Sequence, residues 1–152
     1  MNNSKITLSQ LEQYLSKAAW ILKGPVDAAD FKAYIFPLLF FKRISDVYDE
    51  EYKQTLKESG GDVEYATLPE FHRFIIPENC HWNDVREVTT NVGQALQYAF
   101  REIEKANQKF LYGILGDAQW TNKDRLSDET LINLMEHFSQ YNLSNSNVEP
   151  DL

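Results

Sequence analysis

The Gly24–Pro25 pair divides the first fifty residues into two helical patterns of different kinds, and this break constrains the fold more than any other feature. Before it, Leu8, Leu11, Leu15, Ala18, Ala19 and Leu22 recur at intervals of three and four, which makes one apolar stripe. Thr7–Gln10 and Ser9–Glu12 both have capping-box spacing, so the helix is read as starting near Thr7 or Ser9. Glycine can take the left-handed position that closes a helix, and proline cannot continue one. After the break, Asp27 is placed to cap a second helix, with Asp30 near its positive end. Phe31, Ile35, Leu38, Leu39, Phe41 and Ile44 supply its apolar positions. Between Ala33 and Phe41 these cover more than one stripe, which predicts a helix packed on several sides at the centre of the domain. Pro37 removes one backbone donor inside this run and predicts a kink there.

The polar stretch from Tyr48 to Lys53 carries the second helix outward, and Gly60–Gly61 ends it. From Asp62 to Arg86 the periodicity weakens. Leu68–Pro69–Glu70 can open a short helical turn, Phe74 to Pro77 reads as a brief extended piece, and Trp82 with Asn83–Asp84 begins another short helix. Val92, Leu96, Ala99, Ile103 and Ala106 restore helical spacing over 91–107. A last helix opens at Ser127–Asp128–Glu129 and turns Leu131, Leu134, Met135 and Phe138 inward. After Tyr141 the sequence NLSNSNVEPDL loses its period. The expected fold is therefore all-α: a compact multi-helix domain over residues 1–141 around a central apolar kinked helix, with room for one short strand pair. Residues 142–152 read as the start of a linker.

At 152 residues the chain is most simply one domain that buries about two-thirds of its unfolded surface. A single cysteine, Cys80, excludes an internal disulfide framework and suits a reducing compartment. The longest apolar run, Ala33 to Phe41, falls well short of a membrane span, and the N-terminus has no signal-peptide core, so a cytoplasmic protein is expected. The net charge of −8 opposes a free-standing nucleic-acid binder, because phosphate contacts supply most of such a protein's affinity. Contact with DNA then needs a local basic face or a larger assembly.

Few residues suggest reaction chemistry. Cys80–His81 has only His72 and His137 as further histidines and no second cysteine, too few at definable spacing for zinc. Neither a phosphate-binding nor a dinucleotide glycine fingerprint occurs, and no G-x-S-x-G elbow. The acids of Asp49–Glu50–Glu51 are most simply a solvated helix face, and Asn142–Leu143–Ser144 is a chance glycosylation match. The basic residues carry more weight. Lys17, Lys23, Lys32, Lys42 and Arg43 lie in the first two helices, and Arg101, Lys105 and Lys109 follow at four-residue steps. Solvated faces and helix-surface ion pairs account for such residues in most proteins. The functional reading is a phosphate-contacting strip, for which Lys17, Lys32, Lys42, Arg43, Arg101 and Lys105 are the candidates, with Lys42–Arg43 foremost.

The spacing of Ala18–Ala19, Leu22–Lys23–Gly24, Asp27 and Asp30–Phe31–Lys32, followed by Phe40, Lys42 and Ile44–Ser45–Asp46, resembles the N-terminal helical domain of type I restriction-modification methyltransferases, specifically the modification (M) subunit. The segments from Ile76 (IPENCHWNDVRE), Asn91 (NVGQALQYAFREIEKAN) and Leu134 (LMEHFSQYNLSNSNVEPDL) are similar to the same family. One departure is that Trp20 follows the Ala–Ala pair, where the family often has a tryptophan before it and an aspartate after. The resemblance implies a helical domain ahead of a catalytic domain that uses S-adenosyl-L-methionine to methylate adenine at N6. It implies as partners a specificity (S) subunit, a second M subunit, restriction (R) subunits and DNA, and no membrane. The glycine turn and N/D-P-P-Y/F loop of that chemistry are not among these residues. The expectation is that this stretch is inactive alone, binds no cofactor, and serves assembly and DNA clamping. The alternative is a stand-alone helical adaptor that binds a partner through exposed aromatics.

Overall fold

The computed structural model describes residues 5–148. Four longer helices build the domain: α1 (Leu8–Leu22), α2 (Phe31–Glu58), α5 (Val92–Ala106) and α7 (Asp128–Phe138). Shorter ones, α3 (Val63–Ala66), α4 (Trp82–Arg86) and α6 (Gln108–Leu111), lie between them. The capping box at Thr7–Gln10 forms as the sequence predicts: Gln10 N donates to the Thr7 hydroxyl and Thr7 N to the Gln10 carboxamide. Gly24 has φ +103° and ends α1, and Gly60 and Gly61 end α2, also at positive φ. Asp27 precedes a single 3₁₀ turn, Ala28–Asp30, so α2 itself begins four residues later than its expected cap.

The central helix is α2, which runs unbroken through Pro37. Leu38, Phe41 and Val47 are fully buried, and Tyr34, Ile35 and Ile44 nearly so. The Phe41 ring meets Trp82 of α4 at 5.1 Å and the edge of Phe100 of α5 at 5.4 Å. Truncating such a residue to Ala costs about 3–5 kcal/mol, because the lost contacts leave a cavity. α1 is held to α7 by polar bonds as well as apolar ones. The Tyr14 hydroxyl donates to Phe138 O at 2.5 Å, and His137 Nε2 lies 2.6 Å from Tyr14 O. Burial pushes the Tyr14 phenol far above its ordinary pKa, so it remains a donor. On α5, Gly93 is fixed by close approach: a Cβ there would sit 1.8 Å from the backbone oxygen of buried Trp120.

The expected strand pair is absent among the described residues, where pairing is limited to isolated bridges, Ile6 with Val148 and Lys23 with Val26. The extended piece at Phe74–Pro77 needs no partner strand, because one side chain satisfies it. Asn107 Oδ1 accepts from Ile75 N at 2.8 Å, and Asn107 Nδ2 donates to Ile75 O at 2.7 Å. Residues 142–148, read as the start of a linker, pack back onto the domain, with Leu143 and Ser144 buried. The remainder of that segment lies outside the described residues.

Candidate functional site

The motif from Phe40 to Asp46 lies in the middle of α2, and its polar residues turn toward two neighbouring segments. Lys42 is 5% exposed. Its ammonium pairs with Asp46 one turn on and donates to Tyr141 O at 2.8 Å. Asp46 Oδ2 also accepts from Leu143 N at 2.8 Å. Arg43 donates to Leu143 O and, at 2.5 Å, to Asn145 Oδ1. Glu50, one turn further, accepts from the Ser146 hydroxyl. These bonds form a row along α2 that lashes residues 141–146 across it, and Asn147 O then accepts from Ile6 N at 2.9 Å. On the other flank, the Ser45 hydroxyl accepts from Trp82 N at 3.1 Å and so fixes the start of α4. The motif thus ties two remote parts of the chain, the 141–145 segment and the start of α4, to one helix.

Hollows flank this strap. A polar groove of about 360 Å³ lies against it, lined by Asp49, Glu50, Lys53, Gln54, Lys57, Asn142, Ser144, Ser146 and Asn147. Another polar hollow of about 310 Å³ opens over Lys42, Asp46, Trp82, Asn83 and Arg86. Near the N-terminal residues an apolar hollow of about 240 Å³ is lined by Ile6, Leu11, Leu39, Phe40, Leu143 and Val148. Phe40 stacks on Phe36 at 6.5 Å, and both rings are more than a third exposed.

The candidate contact residues occupy three different settings. Lys42 and Arg43 make internal bonds to the strap. On α5, Arg101 pairs with Glu104 at 2.5 Å and donates to Gly116 O at 2.5 Å, while the exposed Lys105 pairs with Glu102 at 3.2 Å. Lys17 and Lys32 are exposed on α1 and at the start of α2. The six therefore do not converge on one spot. Sequence reasoning missed Asp46, Glu50 and the 141–147 strap as a unit. A signal was present in the Ser45–Asp46 pair and the Asn/Ser-rich run after Tyr141, but nothing local linked them.

The reactive-looking residues have internal roles. Cys80 is fully buried, and burial pushes its thiol above the usual value. The His72 ring stacks on Tyr48 at 3.8 Å, with Nδ1 at 3.2 Å from Glu51 and Nε2 at 2.7 Å from Ala66 O. Burial lowers the His81 pKa and raises that of nearby Asp49. Among the described residues no group of three metal-ligating side chains comes together, and no helix is long and apolar enough to cross a membrane.

Comparison with curated proteins gave no match. The family model for the HsdM N-terminal domain matches residues 11–138, from the first turn of α1 to the end of α7, and stops before the strap. The chain belongs to the HsdM N-terminal domain family, that of the methyltransferase subunit of type I restriction-modification systems.

Proposed function

We propose that this domain is a non-catalytic assembly and DNA-clamping element of a type I adenine-N6 methyltransferase M subunit. The observation that carries the reading is the family match across 11–138, which covers all but the first three residues of the helical core. The geometry accords with it, since what the surface offers is docking: an apolar hollow beside stacked Phe36 and Phe40, and hydrogen-bonding grooves beside the strap. On this reading S-adenosyl-L-methionine and the methyl transfer belong to the rest of the M subunit. The specificity subunit, a second M subunit and the restriction subunits are partners in the cytoplasm, and DNA is enclosed in the assembled enzyme. A net charge of −8 fits a domain whose DNA contact is confined to a small area.

The test uses the full M subunit with its specificity subunit, intact and with the helical domain deleted. Deletion is expected to weaken retention of duplex DNA and lower adenine methylation while the catalytic part still binds S-adenosyl-L-methionine. Unchanged assembly, DNA retention and methylation would overturn the reading.

A further inference from the structure

Charge is unevenly distributed along this chain. Between Gln13 and Ser45 there are five cations (Lys17, Lys23, Lys32, Lys42 and Arg43) against two carboxylates, Asp27 and Asp30. That stretch is net +3 in a chain of net −8, so the rest carries −11. Structure separates these cations further. Lys42 and Arg43 are bonded to the strap, and Asp30 is paired with Arg125 at 3.0 Å. On the last two turns of α1 the cations stay exposed, and from Gln13 to Val26 there is no acidic residue at all.

Lys17 and Trp20 lie three residues apart on the outside of α1, and Lys23, its C-cap, follows at the same step, so the three make a single slanting stripe along the end of the helix. Trp20 is 71% exposed, whereas Trp82 is 4% and Trp120 0% exposed. The Lys23 ammonium lies over the Trp20 ring, 5.0 Å from its centroid. Toward the N-terminus the stripe continues into a shallow groove lined by Ser9, Glu12, Gln13, Ser16 and Lys17. Glu12 is its one carboxylate and lies at the far end from Trp20 and Lys23. A large aromatic left in water between two lysines gains nothing for the domain's own packing. It suits a ligand with repeated negative charge and a flat or apolar face between the charges.

We infer that the Lys17–Trp20–Lys23 stripe of α1 is a contact surface for the phosphodiester backbone of duplex DNA. The two ammonium groups meet phosphates, and Trp20 packs on the intervening sugar. The inference rests on the DNA-clamping reading and names the surface responsible for it. Such contacts are independent of base sequence and sensitive to salt.

Trp20 supplies its own probe, because the other two tryptophans are buried. The 152-residue chain is titrated at low salt with a short mixed-sequence duplex while acrylamide quenching of tryptophan fluorescence is followed. Duplex is expected to shield Trp20. Replacing both Lys17 and Lys23 with Gln should weaken binding at least several-fold and reduce the slope of log affinity against log salt by about 2. A W20F variant, which keeps both lysines, should retain most of that slope. Binding with an unchanged slope in the double variant, or with Trp20 still fully quenchable, would place DNA elsewhere on the domain and overturn the inference alone. No binding by the wild-type chain would overturn it too, since the deletion assay on the assembled enzyme does not depend on the isolated domain. Shielding of Trp20 by the specificity subunit without DNA would assign the stripe to a protein partner instead, and so also count against it.

Discussion

Two sets of cations within thirty residues of each other have opposite environments. Lys17 and Lys23 stand exposed on α1 and at its C-cap, in a stretch from Gln13 to Val26 that holds no carboxylate. Lys42 and Arg43, on the middle of α2, are turned inward and bonded to residues about a hundred positions later in the chain. Side-chain chemistry is similar in both sets, so the difference comes from what the helix packs against. α1 presents one apolar stripe and leaves its opposite side to water. α2 is covered on several sides, and a cation in its middle must find acceptors inside the protein. A Lys–Arg pair after an apolar run is therefore evidence of burial as much as of a binding face.

The sharpest way to break this comparison is at Asp46. Replacement with Ala removes the carboxylate beside a nearly buried ammonium and the acceptor of Leu143 N together. We expect a loss of about 3–5 kcal/mol in denaturant unfolding, most of it the cost of an unpaired buried charge. A loss below about 1 kcal/mol would show that Lys42 reaches water easily and that the two sets of cations differ little.

Local features of the fold were legible in the sequence, and the strap was not. The Thr7–Gln10 box, the Gly24 stop and the Ser127 cap each involve residues within a few positions of one another, so spacing alone exposes them. Asp46 and Leu143 are separated by 97 positions, and Arg43 and Asn145 by 102. No periodicity encodes such pairings, and a polar, aperiodic run after Tyr141 has the composition of a linker whether or not it is tied down. The expected strand pair failed for a related reason: the backbone of Ile75 is satisfied by the Asn107 amide, a side chain 32 positions away. At the candidate contacts, sequence identified the cations but could not tell which would face inward.

Arg43 sharpens the comparison at a smaller scale. Its guanidinium is partly buried and holds the strap at Leu143 and Asn145. Replacement with Ala is expected to cost about 1–2 kcal/mol and to raise amide exchange selectively over 142–147. Exchange unchanged in that segment would mean that the strap is held by its apolar contacts alone.

Smaller still is the contribution of Glu50. Burial opposes its ionisation, but hydrogen bonds from Ser146 and Ser144 outweigh this and hold its carboxyl below the ordinary value. A depressed folded pKa means stability that is present above the unfolded pKa and lost as pH falls through the folded one. Amide protection over 142–147 should therefore be constant near neutral pH and drop in acid, below the usual glutamate range. Glu50→Gln should remove most of that drop. Because Glu50 is only partly buried, the effect on global stability is expected to stay under about 1 kcal/mol.

The smallest effect on stability belongs to the outer cations, and it makes the contrast decisive. Replacing Lys17 and Lys23 together with Gln removes no ion pair and no core contact, only the cation over the Trp20 ring. The midpoint of unfolding should stay within about 0.5 kcal/mol of wild type. A larger loss would mean that these lysines support α1 itself, which is the strongest argument against a surface kept for DNA, so the stability measurement belongs beside the salt titration on the same variant.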